Sequence, residues 1–458
     1  MDSVANSAKA AAATMARLDS KVIAAGLRAA ADALDGRAEE LAELADRETA
    51  LGTPRLVGEV ARTTGQLWLF ADVVEQGRHF ERKVSELPEG APARTLHKIN
   101  IPLGVVAVFA ASNFPFAFSV AGGDTASALA AGNSVIVKAH HGHPQTSMQV
   151  GRIVSEALVG AGCPTGTLQV IHGGDAVGRA LVLHHDVAAV GFTGSTVGGR
   201  ALSDIAASRE DPIPVFAEQG SINPVVIAPT AFGDAERVGR QFAASVLAGH
   251  GQFCTKPGVL LVPDSHADDL VEILRREMTA PAEMYLLTDK IHSQFTAKID
   301  ELRSAHAVDI WISEFSPGGY SVPAMLAVAD LATYLSTPAL SEEIFGPAVV
   351  VVRLSGITEL KRAIQSFTGN LTATVHGDPA DEWVKLATER MAQRVGRMVY
   401  GGVPTGVAVD RAMHHGGPYP SSSSSLYTSV GEDAIKRFVR PIAYQDFPDD
   451  LLPVAARA

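Results

Sequence analysis

At 458 residues the chain is too long for one small core and has the volume for two or three domains. Its 38 Lys and Arg are outnumbered by 50 Asp and Glu, and a net charge of -12 argues against broad surfaces for nucleic acid or anionic membrane. No apolar run approaches the roughly 20 residues of a membrane span, the first residues lack the pattern of a secretory signal, and two distant cysteines make no disulfide framework, so a cytoplasmic protein with small-molecule partners is expected.

In chain order, Leu27, Ala30, Ala31 and Leu34 follow i, i+3, i+4, i+7 spacing. Leu41, Leu44 and Ala45 continue it after the Asp35-Gly36 break, so the first 80 residues read as helices. Residues 84–102, VSELPEGAPARTLHKINIP, are polar and turn-rich and predict a β-hairpin. From Gly104, GVVAVFA (104–110), SVIVK (134–138), LQVI (168–171) and VAAVGFT (187–193) alternate with helical spacing at 115–131 and 144–160, the rhythm of a parallel sheet wrapped by helices. A second alternation starts near Pro224 and passes through VLLV (259–262), AVVVV (348–352), LTATV (371–375) and RVGRMVY (394–400), a second α/β domain with its boundary near 220. The serine run Ser421 to Ser425 reads as an exposed loop and RFVRPIAYQDF (437–447) as a closing strand.

Chemistry can reside in four of these segments. Cys254 lies in AGHGQFCTKPG (248–258), where Gly249 and Gly251 give a ligand access and Lys256 favours a thiolate; a buried, inert cysteine is the equal alternative. Cys163, before a proline and a strand, reads as filler. Glu218 in VFAEQGSINP ends an apolar run at the proposed domain boundary, placed either as a general base or as a strand-end carboxylate. Asn113 in ASNFPFAFSVAGGDTASALAAG lies between a strand's C-terminal end and a helix, where its amide is an oxyanion donor or an ordinary turn residue. In GFTGSTVGGRAL (191–202) a strand passes through Gly194 and Ser195 into a helix whose N–H groups suit a phosphate, although this is not G-x-G-x-x-G.

Five motifs in order, SNFP, GFTGSTVGGR, AEQGSINP, GQFCTKPG and EEIFGP, resemble the aldehyde dehydrogenase superfamily over nearly the whole chain. VKAHHGHPQTS and HHGGPYPSSS look most like its α-ketoglutaric semialdehyde (2,5-dioxopentanoate) dehydrogenase branch. The resemblance implies an α/β fold: a Rossmann-type cofactor domain (1–83 and 103–220), an α/β catalytic domain (221–420) and a small β oligomerisation arm (84–102 and 421–458). It implies that Cys254 attacks the aldehyde, that Asn113 and the Cys254 N–H hold the oxyanion, that hydride passes to a nicotinamide, and that Glu218 activates the water which hydrolyses the thioester. Lys138 is implied at the adenosine ribose, Gly194 and Ser195 at the pyrophosphate, and Glu343 at the nicotinamide ribose with Phe345 nearby. A homodimer or homotetramer is implied as well.

Many NAD-preferring relatives carry Glu three residues after that lysine. His141 stands there, so either NAD or NADP is expected to bind, with NADP ahead. His140, His141 and His143 have no companion Cys or carboxylate, and no metal is expected of them. The chain starts almost directly with its first helices, so the outer edge of the cofactor domain is expected to be short. Lys256 replaces an Asn common in close relatives and is expected to point outward, the alternatives being that it attracts a substrate carboxylate or lowers the thiol pKa. Competing functions are a cofactor-independent thiol esterase built on Cys254 and Glu218, an aldehyde dehydrogenase of other specificity, a non-catalytic relative, which the intact Cys, Glu and Asn set disfavours, and a coenzyme-A-acylating enzyme, which the presence of Glu218 disfavours.

Overall fold

Apolar spacing in the first 75 residues folds as α1 (Asp2–Met15), α2 (Ser20–Asp35), α3 (Ala38–Thr49) and α4 (Thr53–Glu75). In α2, Ile23, Ala24, Leu27, Ala30, Ala31 and Leu34 share one face and are all buried, while Asp19 caps the start by accepting from the Lys21 N–H at 2.8 Å. A hairpin follows, β1 (Lys83–Glu86) and β2 (Thr95–Pro102), paired antiparallel. The chain then alternates through β3 (Val105–Phe109), α5 (Gly123–Ala130), β4 (Ser134–Lys138), α6 (Pro144–Gly160), β5 (Leu168–Ile171), α7 (Asp175–Leu183), β6 (Val187–Thr193), α8 (Thr196–Ala207) and β7 (Val215–Glu218).

This is a computed structural model describing residues 1–279 and 283–457; residues 280–282 and 458, which fall in the expected catalytic-domain and arm ranges, lie outside the described residues. Two units are distinguished: residues 1–217, 409–413 and 427–458, and residues 218–408 and 414–426. The first unit's five-stranded sheet has the order β5-β4-β3-β6-β7, with β5, β4, β3 and β6 paired parallel. The order reverses at β3, which has β4 on one side and β6 on the other. Open α/β sheets hold ligands at the carboxyl ends of the strands at such a switch point.

One expectation is corrected here. Helical spacing over 115–131 yields a helix only at 123–130. At Gly122 a Cβ would lie 2.5 Å from the Ala117 carbonyl oxygen, and the Gly123 and Ala111 N–H groups donate to Ala117 O at 3.1 Å and Phe118 O at 2.9 Å. The chain doubles back through 114–122, and these tertiary bonds override the local period.

The second unit runs through β8 (Val225–Ile227), α9 (Ala235–Leu247), β9 (Val259–Pro263), α10 (Asp264–Met278), α11 (Asp289–Ser304), β10 (Asp309–Ile312), β11 (Met325–Asp330), α12 (Leu331–Ser336), β12 (Ala348–Leu354), α13 (Ile357–Ser366), β13 (Asn370–His376), α14 (Glu382–Met391) and β14 (Val395–Tyr400). Its sheet has the order β10-β11-β12-β9-β8-β13-β14, parallel apart from the antiparallel edge strand β10. β9 and β12 are nearly continuous apolar runs and occupy the buried centre, as strands covered on both faces do.

The serine run is not a simple exposed loop. Ser421 and Ser422 are buried, with the Ser421 hydroxyl donating to Pro418 O at 2.9 Å and Ser422 bridging to Glu218. In the first unit, β15 (Val439–Gln445) pairs antiparallel with β2 from Val439↔Pro102 to Gln445↔Leu96, completing a three-stranded sheet with β1 as its exposed edge. No helix among the described residues is long and apolar enough to cross a membrane.

Candidate active site

Cys254 sits in the loop between α9 and β9. Three consecutive residues, Gly249, His250 and Gly251, have φ of 56°, 60° and 71° and turn the chain sharply before it. Gly251 is required twice over: its φ is left-handed, and a Cβ there would lie 2.1 Å from the Gly346 carbonyl carbon. Gln252 fixes the next step, its Oε1 accepting from the Leu287 N–H at 3.0 Å. The Asn223 side chain then clamps the loop, donating from Nδ2 to the carbonyl oxygens of both Cys254 and Lys256 at 2.9 Å. Its Oδ1 accepts from the Ser221 and Thr372 hydroxyls at 2.8 and 3.1 Å.

Glu218 ends β7 and is held by Ser421 and Ser422: the Gln219 N–H donates to Ser421 O at 2.8 Å beside the Glu218↔Ser422 bridge. That brings its carboxylate to His415, whose Nε2 lies 3.0 Å from Glu218 Oε1. The same Nε2 is 3.6 Å from Cys254 Sγ. The Glu218 and His415 side chains are only 3% and 0% exposed. Thus the two residues singled out in the sequence, Cys254 and Glu218, meet through a third that sequence reasoning missed. His415 lies in HHGGPYPSSS, 161 positions from Cys254, and no spacing rule links them. Arg397 was also missed. Its guanidinium is held by the Pro404 and Gly406 carbonyls, within electrostatic reach of Cys254, where it favours the thiolate.

Lys256 overturns its expectation. It is buried, and its ammonium donates to Ala348 O at 2.6 Å instead of pointing outward. Burial lowers its pKa to about 8, opposed by the charge of Glu343. Burial likewise raises Glu343 to about 7, against a hydrogen bond from the Ser221 N–H and the nearby Lys256 charge. Glu343 and the half-buried Phe345 lie in the turn before β12, so the glutamate implied at the nicotinamide ribose has a lysine as its buried neighbour.

Asn113, Lys138, His141, Gly194 and Ser195 belong to the first unit. Asn113 follows β3 at the switch point and is 7% exposed; Arg55 donates to its carbonyl at 2.7 Å, and Glu59 accepts from the Phe116 and Ala117 N–H groups at 2.8 and 3.0 Å. His143 is structural: Nε2 meets Ala111 O at 2.9 Å and Nδ1 meets Ser147 Oγ at 3.1 Å, tying the Asn113 loop to α6. Of the other histidines in that run, His140 is half-buried, and the exposed His141 stacks on it at 4.3 Å.

Residues 1–440, nearly the whole chain, match the aldehyde dehydrogenase family. The chain belongs to the aldehyde dehydrogenase family. This aldehyde dehydrogenase is 44% identical over 451 residues to alpha-ketoglutaric semialdehyde dehydrogenase 2 of Azospirillum brasilense, covering 94% of this chain and 83% of that protein. It is 40% identical over 428 residues to alpha-ketoglutaric semialdehyde dehydrogenase of Acinetobacter baylyi, covering 92% and 81%. A 3,6-anhydro-L-galactose dehydrogenase solved in complex with NAP shares the fold, with a TM-score of 0.84 at 20% identity over 96% of this chain and 90% of that one. The expected family and fold class are therefore borne out, and the enzyme is an NAD(P)-dependent aldehyde dehydrogenase.

The residues of the first unit fit such a cofactor. The turn from β6 into α8 leaves Gly194 exposed, and a Cβ there would press to 2.6 Å from the Phe192 ring, so the backbone stays open to a close ligand. Ser195 caps α8 by accepting from the Gly198 N–H at 3.2 Å, which sets the helix N-terminus, a natural anion site, beside that turn. Lys138 ends β4, half-buried near Asp175, and burial lowers its pKa.

Proposed function

We propose that the enzyme oxidises a small carboxylated semialdehyde, of the α-ketoglutaric semialdehyde type, to the corresponding carboxylic acid. The two relatives named for that substrate support the choice. The observation that carries the chemistry is the line Glu218–His415–Cys254, with contacts of 3.0 and 3.6 Å in a buried setting. In this reading His415 Nε2 accepts the Cys254 thiol proton, and the thiolate adds to the aldehyde carbon. The Asn113 amide and the Cys254 backbone N–H stabilise the resulting oxyanion. The bound nicotinamide cofactor supplies the hydride acceptor. Glu218 then takes a proton from the water that hydrolyses the Cys254 thioester, and the carboxylate leaves with the thiolate restored.

In the same reading the first unit takes the cofactor, with Lys138 at the adenosine ribose and Gly194 and Ser195 at the pyrophosphate. Glu343 and Phe345 serve the nicotinamide end. NADP is favoured over NAD because His141, exposed where a carboxylate would repel a 2′-phosphate, adds no negative charge. The hairpin with β15 serves as an oligomerisation arm for a homodimer or homotetramer through its exposed β1 edge. Two free cysteines suit a reducing cytoplasm.

A panel of semialdehydes and simple aldehydes assayed with each cofactor tests the proposal. Carboxylated semialdehydes with NADP are expected to give the highest kcat/KM, and a preference for uncharged aldehydes would refute the substrate assignment. The Cys–His–Glu line also favours a second reading, thiol-dependent ester cleavage. Cleavage of an ester without reduction of cofactor by any aldehyde would select it.

A further inference from the structure

A thiol sulfur, an imidazole nitrogen and a carboxylate oxygen form a donor set that zinc accepts. In the second unit the donor atoms of Cys254, His415 and Glu218 all lie within 4.8 Å of one another. Tetrahedral zinc, with Zn–S of about 2.3 Å and Zn–N and Zn–O of about 2.0 Å, sets S···N at about 3.5 Å and N···O at about 3.3 Å. The observed separations are 3.6 Å for Sγ to Nε2 and 3.0 Å for Nε2 to Oε1, within a few tenths of an ångström of those values, and the sulfur and the carboxylate oxygen lie within 4.8 Å of each other against about 3.5 Å around tetrahedral zinc.

Charge points the same way. A thiolate, a carboxylate and a neutral imidazole around one Zn²⁺ sum to zero, which suits a place where the Glu218 and His415 side chains are almost fully withdrawn from water. Arg397 favours the thiolate, and a neutral centre leaves it little net charge to repel. The exchange is balanced: Zn–S, Zn–N and Zn–O bonds form, the S–H bond breaks with its proton going to solvent, and any proton on His415 Nε2 moves to Nδ1. Water completes the four-coordination, and nothing is oxidised or reduced.

The other cluster with comparable spacing among the described residues, His184, His185 and Asp186, is less suited. The Lys9 ammonium lies 2.6 Å from Asp186 Oδ1, and His184 Nδ1 accepts from the Asp186 N–H at 3.3 Å.

We propose that Cys254, His415 and Glu218 form a Zn²⁺ site and that zinc bound there switches the enzyme off by engaging the sulfur lone pair that attacks the aldehyde. The inhibitory half rests on the catalytic role proposed for Cys254; the binding half does not. The test is titration of the full chain with Co²⁺ and Zn²⁺, read by absorption, alongside Cys254→Ser and His415→Gln. One Co²⁺ per chain is expected, with a thiolate-to-cobalt charge-transfer band and intense four-coordinate bands that Zn²⁺ displaces. Cys254→Ser should lose the charge-transfer band, and His415→Gln should bind Zn²⁺ at least about tenfold more weakly, since even outer-shell partners are worth 10–100-fold. A wild-type spectrum without that band overturns the site, whether or not the variants fold. So does undiminished zinc affinity in a folded His415→Gln chain. One zinc bound through sulfur with dehydrogenase turnover unchanged overturns the switch and, with it, the catalytic role of Cys254.

Discussion

Asn223 offers the most direct test of how Cys254, the proposed nucleophile, is positioned. Its φ of 48° is in the left-handed region, which Asn and Asp tolerate, so Asn223→Asp keeps the backbone and nearly the volume. What changes is one atom: the Nδ2 that donates at 2.9 Å to both Cys254 O and Lys256 O becomes an oxygen. Two hydrogen bonds of about 1 kcal/mol each are lost, and a buried carboxylate now faces two carbonyl oxygens, for a total of about 3–5 kcal/mol. The introduced carboxyl escapes part of that penalty by holding a proton, so its pKa in the folded enzyme rises above the unfolded value near 4. The sign follows: below about pH 4 only the hydrogen-bond loss remains, and the deficit grows as pH rises from there through the folded pKa. Displacing the Cys254 loop by about 1 Å should lower kcat/KM on the order of 100-fold. Urea midpoints of both proteins between pH 5 and 8, with kcat/KM and the rate of Cys254 alkylation at pH 7.5, measure this. A variant within twofold of wild type in kcat/KM, with an unchanged midpoint at pH 7.5, would show that the clamp does not position the thiol.

Glu218→Gln should remove the base proposed for thioester hydrolysis while leaving hydride transfer, giving an early burst of reduced cofactor and an acyl-enzyme visible by mass spectrometry; steady turnover without a burst points to another base. Gly251→Ala should cost several kcal/mol or abolish soluble expression, because its Cβ would meet Gly346 backbone at 2.1 Å and its φ is 71°; wild-type thermal stability contradicts this. His79 is buried and held neutral, its pKa lowered to about 4 mainly by burial. The unfolded chain, with a pKa near 6.5, takes up that proton first, so this contribution is complete above about pH 6.5 and is lost as pH falls toward 4, by roughly 2 kcal/mol at pH 5. His79→Phe should remove that part of the pH dependence, and parallel pH curves for the two proteins would contradict it. Sedimentation should show a dimer or tetramer; a monomer at micromolar concentration rules out the proposed arm contact.

The alternation of short apolar runs with helical spacing made both sheets legible, because buried parallel strands such as AVVVV have no polar face to disguise them. Cys254 and Glu218, which the structure brings together through His415, could be singled out for a different reason, since each lies in a local motif, as does Asn113. His415 was not, since it reaches Cys254 only through the fold, from a stretch whose sequence says little about burial. Lys256 misled because a loop lysine is normally solvated, and only the three-dimensional setting supplies Ala348 O and Glu343. The false helix at 115–121 failed at Gly122, where close backbone contact decided the path. Ser421 and Ser422 read as an exposed loop and instead hold the strand that ends in Glu218.

The first unit is assembled from both ends of the chain. Arg437 pairs with the buried Asp124 at 2.7 Å, Asn133 Nδ2 donates to Phe438 O at 3.0 Å, and β15 covers one edge of β2. On the ribosome, these partners emerge only after some 200 intervening residues of the second unit have been made. At about 5–20 residues per second, the 313 positions from Asp124 to Arg437 take roughly 15–60 s. For that interval Asp124 is a carboxylate without its guanidinium and β2 lacks its β15 partner, whereas the second unit, nearly continuous in sequence, can close as it emerges. The nascent chain should therefore acquire the thiol-bearing unit before it completes the one proposed to bind cofactor, and it should be most dependent on chaperones just before residue 437 appears.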